Sequence, residues 1–383
     1  MQLTRLFNEF FNSEKACGII LIFVTILSIV IANSSLQAPY INFWHTDIIG
    51  HDIVHWINDG LMAIFFLLIG LELEREVYCG ELSNFKTASL PIFAATGGML
   101  MPAAIYLLFN YGTATQRGAG IPMATDIAFA IGMLSLLGNR VNPSLKIFLT
   151  ALAVIDDLGA IIIIALFYTQ TISWVNLLIA LCIFVVLLIL NRLKVYNLIP
   201  YITGGVFMWY CMLHSGVHAT ISGVLLAFAI PFSRGDEKSP SYRLQHFLHK
   251  PVSFFILPVF AIANTGIAVP GNWIEGLAHA GSTGIIAGLT IGKPLGISLF
   301  SFAAVKAGLS QLPSEVSWKN IIGAGMLAGI GFTMSIFITM LAFKGETTIS
   351  SAKTAILTGS VISGIAGLIW LAFSFRKTNA LPE

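Results

Sequence analysis

The sequence predicts an all-α polytopic membrane protein of about twelve transmembrane helices, and three observations carry that expectation. Of its 383 residues, 56% are hydrophobic and only 10% charged, against about 25% charged in a typical soluble domain. Apolar runs near the length a bilayer requires, roughly 20 residues, recur from end to end between stretches of polar punctuation. Lysine and arginine alternate between successive connections in the pattern that sets membrane orientation. A single membrane domain, 1–383, follows, without a soluble domain, low-complexity tract or short-period repeat.

In order, the runs are 14–33, 54–78, 89–109, 119–138, 145–168, 173–191, 198–212, 216–231, 252–269, 283–305, 320–343 and 352–375. The first follows Arg5 and Lys15 and has the shape of a signal-peptide core, but with so many later runs it reads as a retained span. The loop from Ser34 to Asp52 holds Pro39, Trp44, Asp47 and Gly50 and no Lys or Arg, and a small hairpin is expected there. The segments around 198–231 are short and glycine-punctuated, so one is expected to be tilted or partial. With both termini cytoplasmic, sixteen Lys and Arg lie inside, among them Arg234 and Lys238, and three outside (Arg117, Lys344 and Lys353); Lys293 lies within a span. A miscounted span would scramble that asymmetry. The longest polar connection, Ser233 to Lys250, is then cytoplasmic. A net charge of +2 without a basic run gives no ground for a nucleic-acid partner. Cys17, Cys79, Cys182 and Cys211 lie far apart, with no C-x-x-C, and read as apolar packing residues.

Chemistry is expected where ionisable residues fall inside spans: Asp59, Glu72, Asp126, Asp156, Asp157, His218 and Lys293. Each charge at mid-bilayer costs about 2.5–3.5 kcal/mol even on the lenient insertion scale. Asp156 and Asp157 sit side by side in Leu149–Phe167, and their side chains point about 100° apart on a helix. One can face a cavity while the other reaches a neighbouring helix; a helix interface with one carboxylate protonated is the plainer reading. Asp126 follows Gly118, Gly120 and Pro122, and Thr125-Asp126 is good N-cap chemistry for a helix that restarts. A discontinuous span is expected there, the alternative being a kinked helix with a capping Asp. Gly323, Gly325, Gly329 and Gly331 interrupt the penultimate span similarly, so two broken helices are expected to cross. Lys293 lies too deep to snorkel and needs a carboxylate, a helix dipole's negative end, or neutrality. Glu72, Glu74, Arg75 and Glu76 crowd the cytoplasmic end of the second span, facing a loop with His246 and His249. That is either a solvated helix end or a proton-sensing funnel. His218 reads as a hydrogen-bonded packing residue.

Broken helices at mid-depth, with carboxylates and a lysine converging on them, suit a transporter. Carboxylates coordinate a hard cation, and protons compete for the same oxygens. A site holding either, opening alternately to each side, is an exchanger.

Several stretches carry a resemblance. Ala124–Ala130, Leu152–Tyr168, Ile291–Ser298, Gly329–Ile338 and Trp56–Phe66 resemble NhaA-type bacterial sodium/proton antiporters, and the similarity runs nearly end to end. It implies a twelve-helix inner-membrane fold with inverted-topology repeats at approximately 89–168 and 283–375 and two discontinuous crossing helices. It implies electrogenic, pH-regulated exchange of sodium, and lithium, for protons, serving sodium and pH homeostasis. No cofactor beyond the transported ions, and no enzymatic activity, is implied. Asp157 is implied as main cation ligand and proton carrier, and Asp156 as its partner, ion-paired with Lys293 when no cation is bound. Thr125 and Asp126 would line the crossing, where Lys293 balances dipole ends. Glu72, Glu76, His218, His246 and His249 are the groups assigned to the pH response. A homodimer through the 34–52 loop is implied as well. Two positions depart: family members carry Lys at Glu74 and Glu at Gln245, which predicts a displaced pH set point.

Two other classes fit less well. An intramembrane aspartyl protease draws its aspartates from different helices with a Gly-x-Gly-Asp motif, absent here. A cation channel has no use for a buried lysine and shows a repeated filter loop, also absent.

Overall fold

The computed structural model describes residues 2–169, 172–233, 239–268, 273–313 and 315–378. Among the described residues the elements are all helical apart from one two-stranded hairpin. Helix α1 (Gln2–Ala32) starts well before the expected limit of 14, since no proline interrupts it. After a sharp bend of 118°, α2 (Gln37–Trp44) leads into β1 (Asp47–Ile48) and β2 (His51–Asp52). The strands pair antiparallel, with Ile49 and Gly50 both at positive φ in the turn. The hairpin expected between 34 and 52 is therefore present.

The bundle proper runs α3 (Ile53–Cys79), α4 (Phe85–Asn110), a 3₁₀ segment (Gln116–Met123) leading to α5 (Ile127–Ser135), and α6 (Pro143–Phe167). Next come α7 (Trp174–Arg192), α8 (Ile199–Leu213), α9 (Ile221–Ala229), α10 (Pro240–Asn264) and the short α11 (Trp273–Leu277). It closes with α12 (Ala280–Lys306), α13 (Trp318–Ala328), α14 (Phe332–Ala342) and α15 (Glu346–Thr378).

Among the described residues, eight single helices are long and apolar enough to cross a bilayer, and two bent pairs raise that to ten. The other two expected spans fold as α8, of 15 residues, and α9, of 9, both shorter than the roughly 20 that a bilayer needs. The count of twelve thus depends on the two segments already marked as short by their glycines. One expectation is corrected. The connection from Ser233 to Lys250 is not a loop to its end: Ser239 accepts from Tyr242 N at 3.3 Å, Pro240 opens the helix, and α10 runs on into the apolar run. Serine at the N-cap with proline next to it is a strong start signal. The expected inside residues Arg234 and Lys238 lie outside the described residues. The cysteines divide as well: Cys17 is buried and donates to the Ser253 carbonyl at 3.0 Å, whereas Cys79 and Cys182 are exposed.

Glycines bring the central helices close. A Cβ on Gly98 of α4 would stand 2.9 Å from Ile297 Cγ1 of α12, and one on Gly97 would overlap the Gly296 carbonyl oxygen. One core groups α3–α6 with α12–α15; a second joins α7, α8 and α9 to α3. Among the described residues three wide π-turns interrupt the helices, at Trp56–Leu61, Val252–Ile256 and Gly288–Gly292. The latter two precede Pro258 and Pro294, whose rings exclude the carbonyl four residues back; the wide turn moves it aside. The turn at 288–292 sets the direction in which Lys293 leaves α12.

Candidate functional site

Two interrupted helices cross at the centre of the bundle. The chain is extended through Ala124 and Asp126, between the 3₁₀ segment and α5. Opposite, α13 and α14 meet at a 47° bend across Gly329–Gly331. The breaks are stitched by their own backbone: Asp126 N donates to Ile330 O at 2.7 Å, and Ser335 Oγ donates to Ile121 O at 2.7 Å. Backbone groups freed at a break in a membrane must find such partners.

Asp126 caps two helices at once. Its Oδ1 accepts from Phe129 N at 3.0 Å, closing the first turn of α5. Its Oδ2 accepts from Thr333 N at 3.0 Å and from the Thr333 hydroxyl, closing the first turn of α14. One carboxylate thus faces the positive ends of two half-helices.

On the other side of the break stands the lysine. Lys293 Nζ is ion-paired with Asp156 Oδ2 and also donates to Thr125 Oγ1. Thr125 Oγ1 lies 2.6 Å from Asp156 Oδ2 and 3.0 Å from Ala328 O, so its single proton serves one of the two. The ammonium is thereby linked to the carbonyl end of α13, the negative pole of that half-helix.

Asp157, the next residue on α6, turns away from this pair. Both of its carboxylate oxygens, and Asp156 Oδ1, are buried without a hydrogen-bond partner. Asp157 lies within electrostatic reach of Asp156, Asp126, Lys293 and Glu72. The five residues are closed to solvent on every side: Thr125, Asp157 and Lys293 at 0% exposure, Asp156 at 1%, Asp126 at 2%. Buried carboxylate oxygens without donors are costly to leave bare and are satisfied by a cation or by protons. All five residues expected at the crossing meet there. Thr333, with the Ile330 and Ala328 carbonyls, completes it; these were missed because no charge marks them. The glycines at 329 and 331 were the available signal.

The expected pH-responding residues do not form one group. Glu72 and Glu76 lie on the half of α3 away from the hairpin, with Glu76 Oε1 3.3 Å from Arg75 Nη2. His246, which stacks on Tyr242, and His249 lie on α10, which packs against that half. Glu74 on α3 and Gln245 on α10 are both buried, and Ser241 Oγ donates to Glu74 Oε2 at 3.0 Å. His218 stands apart, at the hairpin end, with Nε2 donating to Tyr168 O at 3.1 Å.

Residues 8–371 match the Na+/H+ antiporter 1 family. The chain belongs to this family. It is 66% identical to the Na(+)/H(+) antiporter NhaA 1 of Flavobacterium johnsoniae over 373 residues, covering 97% of this chain and 98% of that protein. The Na(+)/H(+) antiporter NhaA of Flavobacterium psychrophilum is 64% identical over 99% of this chain and 98% of its own length. That of Cytophaga hutchinsonii is 57% identical over the full length of both. The central crossing therefore belongs to a sodium/proton antiporter of this family.

Proposed function

We propose that the chain exchanges sodium for protons across the bacterial inner membrane, with Asp157 and Asp156 as the shared site. The observation that carries the reading is the set of three buried carboxylate oxygens with no donor, both of Asp157 and the one of Asp156 that Lys293 does not hold. Oxygen ligands of full negative charge suit a hard monovalent cation, sodium or lithium. Asp157 carries the ion and the proton in turn. Entry of the cation draws Asp156 from Lys293, and the return of protons restores the pair. With more than one proton exchanged per cation, the cycle moves net charge. Asp126 and Thr125 hold the crossing, and Lys293 balances the carbonyl end of α13.

The remaining assignments follow the family. The stretches near 89–168 and 283–375 act as inverted repeats; each has a long helix, a broken one and another long one. Both termini face the cytoplasm, in line with the Lys and Arg asymmetry. The α2–hairpin region is the contact of a homodimer. Glu72, Glu76, His246 and His249 answer to cytoplasmic pH, and His218 to the opposite side. Glu74 and Gln245, which break the family's charge pattern, displace the pH range of activity.

The test uses everted membrane vesicles loaded with a pH-sensitive dye, to which sodium is added. Wild-type chain gives sodium-dependent dequenching and Asp157→Asn gives none. No response in wild type, or an unchanged response in the variant, contradicts the reading.

A further inference from the structure

Beside Asp156 stands a stretch of bare backbone. Lys293 and Thr125 both reach one oxygen of that carboxylate, Oδ2. The other, Oδ1, is buried without a hydrogen-bond partner. Gly98 of α4 lies alongside it. A Cβ on Gly98 would stand 3.9 Å from Asp156 Oδ1, and 2.9 and 3.3 Å from Cγ1 and Cδ1 of Ile297 on α12. One turn further along α6, the Met99 side chain fills the place that a Cβ on Gly159 would take. Helix α4 thus covers this face of α6 with a side chain at Met99 and with main chain alone at Gly98.

That main chain is also incomplete as a helix. The carbonyl of residue 98 would accept from the N–H of residue 102, but residue 102 is a proline inside α4 and has none. Its ring also pushes the carbonyl four residues back out of line. Gly98 and Pro102 are one turn apart and share a face of α4. That face is turned toward α12, since a Cβ on Gly292 would stand 2.7 Å from Pro102 Cα. At this depth a carbonyl without its helical donor needs another partner. Carbonyl oxygens, like carboxylates, are ligands of hard cations.

We infer that Gly98 is part of the cation site: its carbonyl is a ligand to the sodium ion held at Asp156 Oδ1, and its missing side chain is the room the ion occupies. This role rests on the exchange proposed above. Pro102 withholds the donor that would occupy the carbonyl, and the glycine leaves the way to it open. Cavity size and ligand number separate hard cations from one another. Sodium is larger than lithium and gathers more oxygens, so narrowing this space penalises sodium first. Gly98 thereby sets which ion is carried.

The experiment is calorimetry of sodium and of lithium binding to the purified full chain at alkaline pH. Gly98→Ala is expected to lower sodium affinity about tenfold, the scale on which groups around a metal's main ligands act, and lithium affinity by less. Adding Ile297→Ala removes the two atoms that the new methyl would overlap, and is expected to leave that loss in place. Pro102→Ala supplies the missing N–H and is expected to weaken the binding of both ions. Pro91→Ala mends the same kind of break about three turns away in α4 and is expected to bind as wild type does. Sodium affinity restored by Ile297→Ala, equal losses for the two ions in Gly98→Ala, or equal effects of the two proline substitutions overturns the inference. If Gly98→Ala does not fold, the double variant and the proline pair are held to the same outcomes. A wild-type chain that binds no sodium contradicts the exchange itself. A wild type that binds, with Gly98→Ala and Pro102→Ala unchanged, contradicts the role of Gly98 alone.

Discussion

Asp156 and Asp157 are neighbours in sequence with opposite surroundings. Asp156 is held by Lys293 and Thr125, whereas Asp157 has no donor. That difference predicts opposite effects on stability. Lys293→Ala strands a buried carboxylate and is expected to cost about 3–5 kcal/mol, seen as a lowered melting temperature. Asp157→Asn removes an unsatisfied charge, so its melting temperature is expected to equal or exceed wild type while transport is lost. A large destabilisation in Asp157→Asn contradicts the account of that carboxylate. Thr333→Val deprives Asp126 of a hydroxyl donor and is expected to cost about 1–3 kcal/mol, with Thr333→Ser restoring it. The charged members of the site were legible because an ionisable group in lipid has to be explained. Thr333 was not: a neutral residue at a helix start carries no such penalty, and its role appears only once Asp126 is seen to reach across the crossing.

At the scale of elements, breaks and close contacts place those side chains. Pro122 and the Thr-Asp pair foretold the break before α5, and the glycines at 329 and 331 foretold the one between α13 and α14. The π-turn before Lys293 was not anticipated, although Pro294 was in view, because proline alone does not say whether a helix kinks or widens. The start of α10 was missed because the polarity of its first turns outweighed the Ser-Pro start signal. Gly97 and Gly296 let α4 and α12 touch through their backbones. Gly97→Ala is therefore expected to cost about 1–3 kcal/mol by overpacking and to weaken transport by moving Lys293 away from Asp156. Unchanged stability and rate would show that this contact does not position the site. Between α3 and α10, Ser241 donates a hydrogen bond to the buried Glu74. Glu74→Lys is expected to move the pH midpoint of activity in vesicles to more alkaline values; an unmoved midpoint contradicts a role for this position in the pH response.

For the whole molecule, burial on every side matters most. With the five central residues at 2% exposure or less, neither face reaches the site in this conformation, and exchange requires the bundle to open to each side in turn. The all-helical class and the order of the spans were readable from hydropathy and from the placement of Lys and Arg. How the two broken helices meet was not, since contacts between segments some 200 residues apart leave no periodic trace. The central claim is that sodium and protons compete for the same carboxylates. Calorimetry of sodium binding to the purified chain, repeated in buffers of different ionisation enthalpy, tests it most directly. Sodium binding is expected to release protons, to weaken as pH falls because protonated carboxylates do not bind the cation, and to vanish in Asp157→Asn. Binding without proton release, or binding that survives that substitution, would contradict the account.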